Sequence, residues 1–248
     1  MNRPINFLLF LLFSSITNFA QFAPPAGQEG TTAIHKDSTV FIAWANSVFV
    51  QRGYLDISLP DSGFVSFGEE QNAIGAADNM IVSLGDGGYA ILSFDIPLAN
   101  GPGPDFAVFE NAFTDDFLEL AFVEVSSDGD NYFRFPAVSL TQTQTQVASF
   151  GTLDATKIHN LAGKYRIEYG TPFDLEDLSN TQGLNTDSIT HVKIIDVVGC
   201  IQDEFASYDS EGHKVNDPWP TPFASGGFDL DAVGVIHNIT NAGIIQNV

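Results

Sequence analysis

Short apolar runs separated by turn-forming residues recur along most of the chain, and this pattern predicts β-strands. Residues 89–94 and 106–109 are rich in aromatic and β-branched side chains, as strands are. Between them, residues 100–104 read Asn-Gly-Pro-Gly-Pro. Such a loop has few accessible conformations because proline fixes φ and glycine permits positive φ. The stretch 84–113 therefore predicts two strands joined either by a rigid, functional loop or by an ordinary turn.

Three further segments extend the β pattern toward the C-terminus. Residues 118–136 predict a hairpin around the turn Ser-Ser-Asp-Gly-Asp, and residues 227–238 predict a closing strand. Residues 188–200 are apolar at successive positions, which predicts a strand buried on both faces. The uncharged Thr/Gln alternation at 141–146 fits an edge strand or a loop.

The N-terminal part of the chain is less regular. Residues 21–71 are predicted to form an extension, with a helix from residue 37 or 38 to about residue 51. Four apolar residues would share one face of that helix, namely Val40, Phe41, Trp44 and Val48. A strand is the alternative, because the stretch is rich in β-branched residues. A single helical turn is expected at 172–178.

The first twenty residues are predicted to be a signal peptide. Arg3 precedes an apolar run at 7–16 that is too short to span a membrane, and cleavage is expected after Ala20. Cys200 is the only cysteine, so we expect no lipobox anchor and no internal disulfide. No later segment approaches ~20 consecutive apolar residues. These features predict a secreted, periplasmic or cell-surface protein without a membrane span.

The charge balance excludes polyanionic partners. Without residues 1–20 the chain would lose one base and no acid, leaving eight Lys+Arg against 31 Asp+Glu, a net charge of −23. Nucleic acids and anionic lipids bind proteins through clustered bases, so neither is an expected partner.

Several segments resemble the galactose-binding-like β-sandwich of discoidin-type and carbohydrate-binding modules. They are AFVEVSSDGDNYFRF, ITHVKIIDVVG and GGFDLDAVGVI, preceded by NAIGAADN. The resemblance covers roughly residues 72–238. It implies an all-β, antiparallel jelly-roll β-sandwich, which we expect to occupy residues 72–248.

The chain also resembles a family of exported bacterial proteins described as surface or secreted proteins. The shared motifs are SLGDGG, NGPGPDFAVFEN, ELAFVEVSSDG, GTPFDL, NDPWPTPF and GGFDLDAVG. Some similar proteins occur beside outer-membrane vitamin-uptake receptors. The resemblance therefore implies, as an alternative function, an accessory protein that docks to such a receptor.

Four acids are candidate ligands of a structural calcium ion: Asp105, Glu110, Asp229 and Asp231. They flank Gly/Pro turns, and the resemblance places them where related jelly rolls often hold an ion. Calcium takes six to eight oxygen ligands. Because side chains alternate along a strand, Asp229 and Asp231 are expected to point the same way. The alternative is that these acids cap turns or face solvent.

The long loop at 203–225 carries the candidate ligand-binding surface. Its centre places Trp219 between two prolines, which would hold the indole in one position. Together with Phe223, Tyr208 and Asp217 it is predicted to bind a glycan or another small uncharged ligand. The alternative is that Trp219 packs into the interior.

No motif for catalysis is present. The chain lacks G-x-S-x-G, H-E-x-x-H and a Cys–His signature, and its five histidines are scattered. We therefore expect a non-catalytic, calcium-stabilised ligand-binding module at the cell surface. A carbohydrate-active hydrolase with paired carboxylates is a further alternative.

Overall fold

The computed structural model describes residues 22–242, so the predicted signal peptide lies outside the described residues. The protein is all-β, with 29% strand and 6% helix, and its antiparallel sheets form a curled half-barrel. The predicted all-β class is therefore confirmed.

The first sheet combines strands from both ends of the chain. Its members are β1 (Ile34–His35), β2 (Ala43–Trp44), β4 (Val82–Ser83), β6 (Phe106–Glu110), β11 (Tyr169–Phe173) and β13 (Asp229–Val235). The spatial order is β1-β11-β6-β13-β2, and β4 also pairs with β13. All pairings are antiparallel.

The second sheet is built from the middle of the chain and one N-terminal strand. Its members are β3 (Ser47–Gln51), β5 (Tyr89–Leu98), β7 (Ala121–Ser126), β8 (Phe133–Arg134) and β12 (Ile189–Asp196). The order is β3-β5-β12-β7-β8. A separate pair consists of β9 (Val138–Ser139) and β10 (Ile158–His159). Short 3-10 helices cover Pro60–Ser62, Glu70–Ala73, Ala155–Lys157 and Leu175–Leu178.

One hydrophobic core joins the two sheets. Phe106 and Val233 from the first sheet belong to the same buried cluster as Leu92 and Val192 from the second. The rings of Phe106 and Phe173 stack with their centroids 5.4 Å apart, a spacing typical of favourable aromatic pairs. Because both sheets bury side chains in this cluster, the architecture is sandwich-like.

Every residue is buried in β6 and β13, which lie in the centre of the first sheet. Phe41 and Trp44 pack over the outer face of these strands against Phe109. The prediction that residues 188–200 form a strand buried on both faces is wrong for β12. Its residues alternate between buried and partly exposed, with His191, Lys193 and Ile195 on the less buried face.

The predicted helix between residues 37 and 51 is also wrong. This stretch forms β2 and β3 instead. In β3 the side chains alternate, with Val50 buried and Phe49 exposed, which is the two-residue period of a strand. β3 pairs with β5 over five residues, so backbone hydrogen bonds to a distant strand replace those of a helix.

The predicted hairpin and the predicted helical turn are confirmed. The hairpin at 118–136 contains β7 and β8, and Ser126 Oγ accepts hydrogen bonds from the turn amides of Asp128 and Gly129. The helical turn within 172–178 is the 3-10 helix Leu175–Leu178. Residues 141–146 form a loop. The segment 21–71 supplies β1, β2 and β3, which pair with strands from the region 72–248.

Candidate functional site

Six carboxyl groups gather at one end of the two sheets: Asp86, Glu110, Glu119, Asp196, Asp217 and Asp229. We call them the acid cluster. Strand register places them together, because the start of β5 lies opposite the end of β12, and the end of β6 lies opposite the start of β13. Burial is the largest cause that raises the pKa of each group. Repulsion from other members of the cluster raises the pKa further for Glu110, Glu119, Asp196 and Asp217.

Three members of the acid cluster hold backbone in place. The turn Leu-Gly-Asp-Gly-Gly at 84–88 aims the amide of Gly87 at Asp196, with 3.1 Å between N and Oδ2. The φ of Gly87 is +71°, a conformation that favours glycine. Asp86 accepts hydrogen bonds from the amide of Ile57 and the indole of Trp219. Asp217 accepts one from the amide of Leu120. These acids therefore fix turns and loops.

Glu110 differs from them because one of its oxygens is fully buried and has no hydrogen-bond partner among the described residues. Its Oε2 accepts a hydrogen bond from the amide of Ala112 at 2.7 Å. Its Oε1 is fully buried and has no hydrogen-bond partner within residues 22–242. Burial, together with the charges of Glu119 and Asp229, raises the pKa of Glu110 well above its usual range. An unsatisfied buried acceptor is costly, so this corner of the molecule is suited to receiving a hydrogen-bond donor or a positive charge.

A pocket of about 140 Å³ opens beside this corner. Its walls are formed by Asn111, Phe113, Phe117, Glu119, Ser149, Phe150, Thr221, Phe223, Ser225 and Asp229. We call it the Phe-rimmed pocket. Phe113 is 72% exposed, Phe150 76% and Phe223 45%. Phe150 lies 5.7 Å from Phe223 and 6.4 Å from Phe117, measured between ring centroids. Large exposed aromatic side chains in one patch mark an interaction site.

The polar groups of the Phe-rimmed pocket are acceptors and small hydroxyl or amide groups. Burial raises the pKa of Asp229 to about 7, although the hydroxyl of Ser83 donates to its carboxylate and the positive charge of Arg52 lowers the pKa. The Arg52 guanidinium itself donates to the carbonyls of Phe67 and Ser83. Near neutral pH, Asp229 can therefore either donate or accept a hydrogen bond. Apolar rings above polar groups of this kind suit a ligand with one apolar face and several hydroxyls.

Trp219, the centre of the predicted ligand surface, lies in the interior. It is 7% exposed and packs with Val198 and Cys200, and with Ile57 and Phe205 at the edge of that cluster. The prediction that its indole presents a face to ligands is wrong, and the alternative that Trp219 packs inward is confirmed. The physical reason is that Asp86 supplies a buried acceptor 3.0 Å from Nε1, so the polar end of the indole is satisfied inside the fold.

The other three predicted ligand residues lie in different places. Phe223 is on the rim of the Phe-rimmed pocket. Asp217 is buried in the acid cluster, which corrects its expected place at the surface. Tyr208 is exposed and forms an isolated bridge with Lys214, away from the residues that line the pocket.

The four predicted calcium ligands do not come together. Asp105 precedes β6 and Glu110 ends it, so about 16 Å of strand separates them at ~3.3 Å per residue. Both carboxylate oxygens of Asp105 already accept hydrogen bonds from amides, Oδ1 from Gly101 and Oδ2 from Leu175. Nδ1 of His237 lies 2.9 Å from Oδ1. Burial raises the pKa of Asp105 to about 6, with these hydrogen bonds opposing the rise. Asp105 therefore fixes the conformation of the Pro/Gly loop at residues 100–104.

Asp229 and Asp231 also serve different partners, which corrects the expectation that they point to one ion. Asp229 accepts from Ser83, whereas Asp231 accepts from the amides of Asp78 and Asn79. The pairing of β13 with β6 shifts register between Leu230 and Ala232, so simple alternation does not apply there. Among residues 22–242, no three His, Cys, Asp or Glu side chains are grouped to hold a metal ion. The residues do not fit the four-ligand site, and calcium binding stays a prediction.

The pocket contains residues that the sequence analysis missed. Phe113, Phe117 and Phe150 are single aromatic residues in polar loops, and Glu119 stands among apolar neighbours. An isolated phenylalanine in a loop outside any strand pattern is the signal that could have found the rim. Their proximity to Phe223 and Asp229 depends on the tertiary structure.

Comparison with known proteins identified no relative of this chain. No protein family, curated protein or solved structure matches this chain. Within residues 22–242, no helix has the length and apolar character needed to cross a membrane.

Proposed function

We propose that this protein is an exported, non-catalytic ligand-binding module whose binding site is the Phe-rimmed pocket. The ligand is a glycan or another small uncharged molecule. The observation that carries the proposal is a rim of three exposed phenylalanine rings, Phe113, Phe150 and Phe223, around a pocket that also has polar walls. We call the polar residues the floor: Asn111, Glu119, Ser149, Thr221, Ser225 and Asp229. Binding sites commonly combine aromatic walls with a few convergent polar groups.

The charges of the site favour a neutral ligand over an anion. Glu119 and Asp229 line the pocket, and Glu110 lies close enough to both for their charges to raise its pKa. This negative potential would repel an anionic ligand. A sugar can place the apolar face of its ring on Phe150 and its hydroxyls against the floor, where they can both donate and accept.

The finer fold assignment belongs to the same proposal. A galactose-binding-like jelly roll is supported by two antiparallel sheets that share one core. Export is supported by the apolar run at 7–16 after Arg3. In β-sandwiches the loops cluster at the two ends of the sheets, where they can form a binding surface. The Phe-rimmed pocket lies among loops of that kind.

An accessory protein that docks to an outer-membrane receptor is the second candidate. It is favoured by the high exposure of Phe113 and Phe150, since aromatic residues on protruding loops are typical anchors of protein interfaces. A protein partner would need the rim alone, whereas a glycan would also need the floor of the pocket.

The test is glycan-array binding of the purified chain, followed by titration of the best ligand against two variants. Phe150→Ala should weaken binding by about 1–3 kcal/mol, the usual cost of removing an aromatic anchor. Phe49→Ala is the matched control, because Phe49 is exposed on the edge strand β3 and does not line the pocket.

Asp229→Asn tests the role of the polar floor in binding separately from that of the phenylalanine rim. Weaker glycan binding by both Asp229→Asn and Phe150→Ala supports the glycan site. Binding of no glycan, or equal effects of Phe49→Ala and Phe150→Ala, would overturn it. Titrations with added calcium and with chelator test the calcium prediction in the same experiment. Release of a cleaved sugar would instead establish the hydrolase alternative.

A further inference from the structure

A second pocket, of about 330 Å³, lies near the opposite end of β6. It is lined by Phe22, Ala23, Thr32, Pro104, His159, Asn160, Lys164, Thr171, Pro172, Asp174 and Asp177. We call it the Lys164 pocket. Pro104 lies just before the start of β6, whereas the Phe-rimmed pocket lies beyond its end. The two pockets are therefore separate sites.

Lys164 is a buried positive charge without an ion-pair partner among the described residues, and its ammonium lies 5.5 Å from the centroid of the Tyr165 ring. It is 4% exposed, and its ammonium donates one hydrogen bond, to the carbonyl of Ile158 at 2.8 Å. Within residues 22–242, no carboxylate lies within the 4.0 Å of an ion pair with its Nζ. Since an ammonium has three donors, two have no hydrogen-bond acceptor among residues 22–242. A buried, unpaired charge is expensive, and an anionic group in the pocket would offset this cost.

The same pocket also carries negative charge on a neighbouring wall. Asp177 accepts a hydrogen bond from the amide side chain of Asn160 through Oδ2. Asp174 accepts one from the amide of Glu176 through Oδ1. In each aspartate the second oxygen has no protein donor among the described residues. A ligand that carried only a carboxylate would be attracted by Lys164 and repelled by both aspartates.

The remaining walls are apolar. The rings of Phe22 and His159 stack at 4.9 Å with an interplanar angle of 11°, and Pro104 and Pro172 line the pocket. Burial, with the charge of Lys164, lowers the pKa of His159, although Asp177 raises it. His159 is therefore neutral at pH 7 and adds an aromatic surface. The pocket offers one cation, two anions and an apolar wall.

We propose that the Lys164 pocket binds a small zwitterion of the α-amino acid class, with its carboxylate on Lys164 and its ammonium facing Asp174 and Asp177. An apolar side chain would lie against Phe22 and Pro172. The site is independent of the proposed glycan site, so either proposal can fail alone.

Three probes of similar shape separate the charges. L-leucine carries both groups, 4-methylpentanoate lacks the ammonium, and 3-methylbutylamine lacks the carboxylate. Isothermal titration of the full chain should show binding of L-leucine and at least tenfold weaker binding of both analogues. Equal binding of leucine and 4-methylpentanoate would overturn the role of the aspartates, and failure of leucine to bind would overturn the proposal.

Variants then assign each charge to a residue. Lys164→Met should weaken leucine binding at least tenfold, and Asp177→Asn should do so while leaving the weak binding of 4-methylpentanoate unchanged or stronger. Lys157→Met is the control, since Lys157 lies nearby in the chain but does not line the pocket. An unchanged affinity in Lys164→Met, with a native circular dichroism spectrum, would contradict the proposal.

Proton uptake gives a readout that a purely structural lysine would not produce. Burial lowers the pKa of Lys164 to about 8, and a bound carboxylate would raise it again. Titrations at pH 8 in two buffers of different ionisation enthalpy should therefore show protons taken up on leucine binding. In Lys164→Arg this uptake should disappear, because arginine stays protonated. Equal apparent enthalpies in both buffers for the wild-type chain would count against contact with Lys164.

Discussion

Acidification from pH 7 to about pH 5 should stabilise this protein, in contrast to the acid sensitivity of most folded proteins. Burial raises the pKa of Asp229 to about 7 and those of Asp105 and Asp231 to about 6. Unfolded aspartates titrate near 3.9. Between these values the folded state binds more protons than the unfolded state, so stability falls as pH rises. The contribution is fully present below about pH 4 and is lost as pH rises through 6 and 7.

The size of the effect is large for a single group. One unit of pKa shift corresponds to about 1.4 kcal/mol, so the shift of Asp229 from 3.8 to about 7 is on the order of 4 kcal/mol. Glu110, Glu119, Asp196 and Asp217 act in the same direction, because burial raises the pKa of each. Urea denaturation between pH 5 and 8 would measure the slope.

The Asp229→Asn variant measures the contribution of one carboxyl group to this pH dependence of stability. The variant should be more stable than the wild type at pH 8 and should lose part of the pH dependence, because its buried amide does not ionise. Asp95→Asn, at an exposed position of β5, controls for the loss of one negative charge from a strongly acidic chain. Greater stability of the wild type at pH 7 than at pH 5 would refute the expectation. Identical slopes for Asp229→Asn and Asp95→Asn would show that general charge repulsion is responsible.

Local patterns were sufficient for some elements and insufficient for others. The hairpin of β7 and β8 is predictable because its turn residues and strand residues are adjacent in the chain. The segment that forms β3 has no such neighbour. Its partner β5 begins 38 residues after the end of β3, and its apolar residues fit a helix face as well as a strand. Pairing with β5 decides between helix and strand, and the local sequence carries no information about that pairing.

The candidate site was only partly predictable for a similar reason. Phe223, Asp229 and Glu110 could each be singled out by residue type, and all three lie at or beside the Phe-rimmed pocket. Their grouping depends on strand register. Asp105 is close to Glu110 in the sequence, but the two residues lie at opposite ends of the extended strand β6. Spacing along a chain therefore misleads when an extended strand lies between the residues.

Trp219 shows how the same sequence feature fits two opposite structures. Two flanking prolines restrict the backbone in either case, and the indole can then point outward or inward. The outcome depends on Asp86, which lies 133 positions away in sequence and accepts the hydrogen bond of the indole. A buried tryptophan normally needs such a partner. The Gly-rich turn that contains Asp86 was visible in the sequence, but its position relative to Trp219 was not.

Trp219→Ala should lower the free energy of unfolding by roughly 3–5 kcal/mol, the usual cost of truncating a large buried aromatic side chain. The indole packs on Val198 and Cys200, and its removal leaves a cavity. The substitution also removes the donor that reaches Oδ2 of Asp86. Urea denaturation at constant pH gives the comparison. Phe150→Ala is the matched control, because Phe150 is 76% exposed and surface truncations usually change stability by about 0.5 kcal/mol or less.

Trp219→Phe separates packing from hydrogen bonding at this position. Phenylalanine retains much of the apolar contact but has no N–H, so Asp86 keeps only the amide of Ile57 as donor. We expect a loss of about 1–3 kcal/mol, the cost of leaving a buried acceptor unsatisfied. Because the indole hydrogen bond lowers the pKa of Asp86, its loss should raise that pKa further. The destabilisation by Trp219→Phe should therefore be smaller at pH 5 than at pH 8. A stability of Trp219→Ala equal to that of Phe150→Ala would mean that the indole does not contribute to the core.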